Sequence, residues 1–132
     1  MKVVIDTNVI VSALLSSNGK PAVILDMLFN DEIQVYYSDN ILSEYKDFLT
    51  RPALDIKLEK AIRFFEILKN IGIYTKQTVS TISLQDEDDR IFYDTAKQNN
   101  AILITGNIKH YPSENFILTP SDFLKMMWNK SI

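Results

Sequence analysis

The 132-residue chain contains no cysteine. That removes disulfides, thiolate metal sites and a cysteine nucleophile together. It has one histidine, so a zinc site built mainly on imidazoles is excluded as well. Any metal here has to be held by oxygen ligands, which suits Mg²⁺ or Mn²⁺. Three glycines and four prolines are too few for long disordered linkers. No apolar run approaches the ~18 residues of a membrane span. The N-terminus carries one lysine and then an apolar run that Asp6 interrupts, so no signal peptide is expected. A cytoplasmic protein without membrane attachment is the expectation.

What is present is ordinary globular composition, 46% hydrophobic and 23% charged, in a length that suits one domain spanning residues 1–132. The formal net charge is -3 and the isoelectric point about 5.1, which is not the footprint of a protein that grips nucleic acid by bulk charge. The acids are unevenly spread, however, and Asp86, Glu87, Asp88 and Asp89 are consecutive. Divalent ions in such a cluster let an acidic protein act on an anionic substrate.

Hydrophobic patterning predicts strands at 2–5, 33–37, 73–75, 101–105 and 116–118. Helices are predicted over 8–15, 21–30, 39–50, 56–71, 86–99 and from Pro120 onward. Ser38 suits a helix N-cap. Leu58, Ile62, Phe65 and Leu68 predict the buried face of the fourth helix, which Gly72 ends. Strands that alternate with helices and are apolar on both faces predict an α/β fold, a parallel sheet covered on both sides.

In such a sheet, sites lie beyond the carboxyl ends of the strands. Asp6 follows the first strand in K-V-V-I-D-T-N, and Asn107 follows I-L-I-T-G. Glu44 falls on the flank of the apolar stripe of its helix. Asp89 shares a stripe with Phe92, Tyr93 and Ala96, so it should face inward, with Asp88 the second choice and Asp94 pointing the other way. Taken singly, each has a structural role: Asp6 as a turn and cap, Glu44 as a solvated helix residue, the acid run as a dipole-matched helix start, Asn107 as a turn residue. His110 reads as a surface residue rather than a general base. Taken together, four segments deliver oxygen ligands to one sheet edge. Close carboxylates raise one another's pKa unless a cation intervenes, and a divalent ion there permits phosphodiester hydrolysis by activated water.

The stretches V-V-I-D-T-N-V-I-V-S-A, S-D-N-I-L-S-E-Y-K-D-F-L-T-R-P, D-E-D-D-R-I-F-Y-D-T-A and I-L-I-T-G-N resemble the PIN domain, nearest the VapC-like branch described as toxin components of toxin–antitoxin systems. The resemblance spans residue 2 to about 125. It implies a Rossmann-like parallel sheet and Mg²⁺- or Mn²⁺-dependent ribonuclease activity on RNA. By position, Asp6 matches the first metal-binding acid, Glu44 the second and Asp89 (or Asp88) the third. Asn107 stands where the family usually has an aspartate, and His110 where an acid is common. An asparagine ligates through its carbonyl but brings no charge, which implies weaker metal binding. The resemblance also implies a small antitoxin partner whose tail covers the acid pocket, and a homodimer. Two rivals remain. A phosphatase of the haloacid-dehalogenase type usually has a second aspartate two residues after the first, where this chain has Asn8. A PIN-like module that binds RNA or a protein without cleavage is the other.

Overall fold

The structure, a computed structural model, describes residues 1–130. The described residues form β1 (Lys2–Ile5), α1 (Thr7–Leu15), α2 (Lys20–Phe29), β2 (Gln34–Tyr37), α3 (Asp39–Leu49), α4 (Leu58–Ile71), β3 (Ile73–Tyr74), α5 (Arg90–Gln98), β4 (Ile102–Ile104), β5 (Ile117–Leu118) and α6 (Pro120–Lys130). Single 3₁₀ turns occupy Pro52–Leu54, Glu87–Asp89 and Ile108–His110.

The five strands make one parallel sheet in the order β3-β2-β1-β4-β5. Val3 pairs with Val35 on one side and Ile102 on the other. Val3, Val4 and Ile5 are fully buried. Because alternate side chains point to opposite faces of a strand, β1 is covered on both sides, as an α/β fold requires. The core joins these residues to Ile41, Tyr45, Phe64, Phe92, Leu103 and Phe123. Tyr45 stacks edge-on against Phe64 at 5.5 Å, and its hydroxyl donates to the Ile5 carbonyl, tying α3 to the end of the central strand.

The chain leaves β1 toward β2 and β3, then returns to the opposite side of β1 for β4 and β5. That reversal opens a crevice between the carboxyl ends of β1 and β4. Capping fixes the elements that frame it. The Ser38 hydroxyl accepts from the Ile41 N–H at 3.2 Å, and the Thr119 hydroxyl from the Asp122 N–H at 3.1 Å, with Pro120 at the first helical position.

Two local expectations need correction, and a third is met for a different physical reason. Helix α4 buries Ala61, Phe64 and Leu68, while Leu58 and Ile62 stay exposed at 66% and 47%. Rotating the buried face onto the Phe64 ring lets it meet Tyr45, so tertiary packing overrides the stripe. Gly72 ends α4 with an ordinary negative φ; a Cβ there would lie 2.3 Å from the Leu68 carbonyl oxygen, so the glycine answers to close approach rather than to a left-handed cap. The acid run forms a 3₁₀ turn before α5 instead of its first turn, with the Asp86 carboxylate accepting from the Asp88 N–H at 3.0 Å.

Candidate active site

Asp6 occupies the N-cap position of α1, yet its side chain makes no capping bond. The carboxylate is 6% exposed. Its Oδ2 accepts from the Thr105 hydroxyl and from the Tyr111 hydroxyl, each at 2.9 Å. Burial pushes its pKa up; those two donors and the nearby N–H groups of Thr7 and Asn8 work against burial. The Tyr111 phenol is itself raised by burial and by the charges of Asp6 and Asp89, so it remains a donor.

Glu44 reaches the same place from the second turn of α3. It is half-buried and accepts from the hydroxyl of the buried Thr7. Burial raises its pKa, opposed by that hydrogen bond and reinforced by Asp6, Asp88 and Asp47. Asp89 enters from the acid turn. It is pushed up to about 6 by burial first, then by the charges of Asp6 and Asp86, with His110 and Tyr111 acting the other way. Its Oδ2 is buried with no hydrogen-bond partner. Asp88 is exposed.

These acids share one pocket of about 490 Å³. Asp6, Glu44, Asp86, Asp88 and Asp89 line it from the acid side, Val11, Phe48 and Leu54 give it an apolar wall, and Asn107 and His110 face it from the loop after β4. Both loop residues are exposed. The loop is pinned by the Gly106 N–H to Asn8 Oδ1 at 2.9 Å and the Asn107 N–H to Thr105 Oγ1 at 3.0 Å. Asp94 turns away from the pocket but is buried elsewhere, at 3% exposure.

Sequence reading did not single out Thr7, Asn8, Thr105 or Tyr111 as site residues. Thr7 and Asn8 were visible as the polar pair directly after Asp6. Thr105 was visible as a hydroxyl at the carboxyl end of a strand. Tyr111 carried no sequence signal for its contact with Asp6.

The donor set is one of hard oxygen atoms, and the orphaned Asp89 oxygen is a lone pair kept from both water and protein donors. Both fit a divalent cation such as Mg²⁺ or Mn²⁺. The acids are not gathered round a point: among the described residues, no group of three or more His, Asp or Glu side chains stands ready to hold a metal ion.

Three comparisons bear on the chain as a whole. The PIN domain family profile matches residues 2–109. An uncharacterized protein of Methanocaldococcus jannaschii, MJ1680, is 37% identical over 110 residues, which cover 81% of this chain and 71% of that protein. The crystal structure of VapBC2 from Rickettsia felis, bound to a DNA fragment from their promoter, matches with a TM-score of 0.57 at 17% identity, covering 90% of this chain and 97% of that one. At that identity the structural likeness concerns the fold.

Proposed function

The chain belongs to the PIN domain family, and from that premise we propose that it is a Mg²⁺- or Mn²⁺-dependent endoribonuclease. Asp6, Glu44 and Asp89 are the metal-holding residues, with Asp88 and Asn107 at the margin of the site. The carrying observation is the buried, unpartnered Asp89 oxygen in a pocket that Asp6 and Glu44 also line. A carboxylate oxygen withheld from solvent with no donor is a net cost to the fold, and a cation offsets it.

When bound, the ion supplies positive charge that keeps the acids ionised, together with Lewis acidity toward water and phosphate. The protein's own part is positional. Thr105 and Tyr111 fix the Asp6 carboxylate, Thr7 aims Glu44, and the wall of Val11, Phe48 and Leu54 excludes water from one side. The net reaction adds one water across the ester. Its oxygen bonds to phosphorus, the ester P–O bond breaks, and one water proton ends on the leaving ribose oxygen.

A toxin role, a small antitoxin as partner, a homodimer and a cytoplasmic location belong to the same proposal; the VapBC2 likeness supports the partner. Among the described residues no helix is long and apolar enough to cross a membrane. Two features favour a second reading, an RNA- or protein-binding module that does not cut: Asn107 is neutral, and among the described residues the acids are not gathered into a metal cage.

Cleavage of a mixed RNA pool with and without Mn²⁺ separates these readings, with Asp6→Asn as control. Losing groups that merely support a metal ligand costs 10–100-fold, so losing charge on a ligand itself is expected to cost at least about 100-fold. Equal cleavage by wild type and Asp6→Asn overturns the assignment. RNA binding by a wild type that does not cleave favours the second reading.

A further inference from the structure

The two sides of the pocket differ in chemistry. One carries the carboxylates, whereas the loop after β4 contributes Asn107 and His110 and no acid. That loop is held at both ends. Asn107 is fixed to Thr105, and Tyr111 is fixed to Asp6 at 2.9 Å. Between them the 3₁₀ turn closes through the His110 N–H on the Asn107 carbonyl at 3.0 Å. His110 therefore stands one residue from an anchor on Asp6 itself, which fixes the backbone that carries it beside the acids.

Its imidazole has no hydrogen-bond or ion-pair partner among the described residues. It is the single histidine of the chain and, among the described residues, the only basic side chain lining the pocket. It stands at the rim of a pocket of acids, where the negative potential favours a ring N–H donor. Asp89 lines the same pocket. A phosphodiester entering here brings more negative charge to a pocket that already holds five carboxylates, and one divalent ion compensates only part of it. On the wall without acids, Asn107 and His110 are the side chains that offer N–H donors.

Building on the ribonuclease reading, we propose that His110 is a catalytic residue that contacts the substrate phosphate from the loop wall, donating a ring N–H to a non-bridging oxygen opposite Asp6 and Asp89. The contact needs a donor at that reach. Glutamine, which retains an N–H, should then replace histidine in part, and alanine should not.

The test measures wild type, His110→Gln and His110→Ala in two ways. One is single-turnover cleavage of a single-stranded RNA with Mn²⁺. The other is binding of the same RNA with Ca²⁺ in place of Mn²⁺, followed by fluorescence anisotropy. Loss of one preorganised donor to developing phosphate charge is expected to slow cleavage by about 100-fold in the alanine variant, with the glutamine variant between. RNA binding should weaken several-fold in the same order. Thermal midpoints of both variants should stay within about 2 °C of wild type, since an exposed side chain without partners carries little stability. His110→Ala equal to wild type in both cleavage and binding overturns the proposal. If wild type binds but does not cut, the nuclease reading fails and the binding order alone decides His110. If it neither binds nor cuts, both fail.

Discussion

Asp6 is buried and Asp89 half-buried, and the two carboxylates have opposite provision. The Thr105 hydroxyl has a single proton, and because its oxygen accepts from the Asn107 N–H, that proton is directed to Asp6. Tyr111 adds a second donor. Asp89 has an oxygen with none. Its pKa is pushed from 3.8 up to about 6, by burial and then by Asp6 and Asp86. Between those values the native state binds more protons than the unfolded chain, so this group favours the fold below about pH 4 and that contribution is lost as pH rises through about 6. Raised values at Asp6 and Glu44 act in the same direction. Replacing Asp89 by asparagine removes its share. In EDTA, the melting temperature of wild type should fall relative to Asp89→Asn as pH rises from about 4 to about 6, and run parallel above that. Parallel curves across the whole range would show that Asp89 ionises freely in the fold.

At the scale of elements, residues 75–86 form an irregular strap between β3 and the acid turn. The Thr75 N–H still bonds to the Tyr37 carbonyl of β2 at 2.9 Å, but the backbone groups of Lys76, Thr78, Ser80 and Ile82 find their partners on α5 side chains. Asp94 accepts from the Ser80 N–H at 3.0 Å, the Ser80 hydroxyl at 2.6 Å and the Gln77 amide at 3.2 Å. Arg90 donates to the carbonyls of Ser80 and Ile82 at 2.9 and 2.5 Å and grips Glu87 with two nitrogens. Helical spacing correctly turned Asp94 away from the acid pocket, yet periodicity cannot see a strap without repeat folding back over that face. The same blindness explains α4, whose apolar residues exceed what one face can bury. Strands were legible because β1, β2 and β4 are short apolar runs ended by polar residues. Asp94→Ala leaves the Ser80 N–H and hydroxyl without their acceptor, which should destabilise the protein by about 2–3 kcal/mol. Chemical denaturation measures that loss, and amide exchange at Ser80 should quicken with it. An unchanged midpoint would mean that water replaces the carboxylate and that Arg90 and Gln98 suffice to hold the strap.

Across the whole molecule, the site exists only when distant segments meet. The hydroxyls on Asp6 come from residues 99 and 105 positions away. The carboxylates were legible in the sequence because strand ends and helical phase locate them. The hydroxyls were not, since the Tyr111 contact depends on how the β4 loop closes over β1 and no local pattern encodes that. This dependence on the fold has a thermodynamic consequence. An unfolded chain cannot bring Asp6, Glu44 and Asp89 together, so a cation bound by them stabilises only the native state. At a free ion concentration of about 100 times its dissociation constant, the gain is roughly 2.7 kcal/mol. For a domain of this size that is a rise of about 10 °C in melting temperature. Mn²⁺ at neutral pH should therefore raise the wild-type midpoint strongly, with Asp6→Asn and Asp89→Asn responding weakly or not at all. The same ionic strength supplied as NaCl should not reproduce the shift, because screening acts on all three proteins alike. Equal rises in wild type and both variants would place the ion elsewhere on an acidic surface and remove the metal from this pocket.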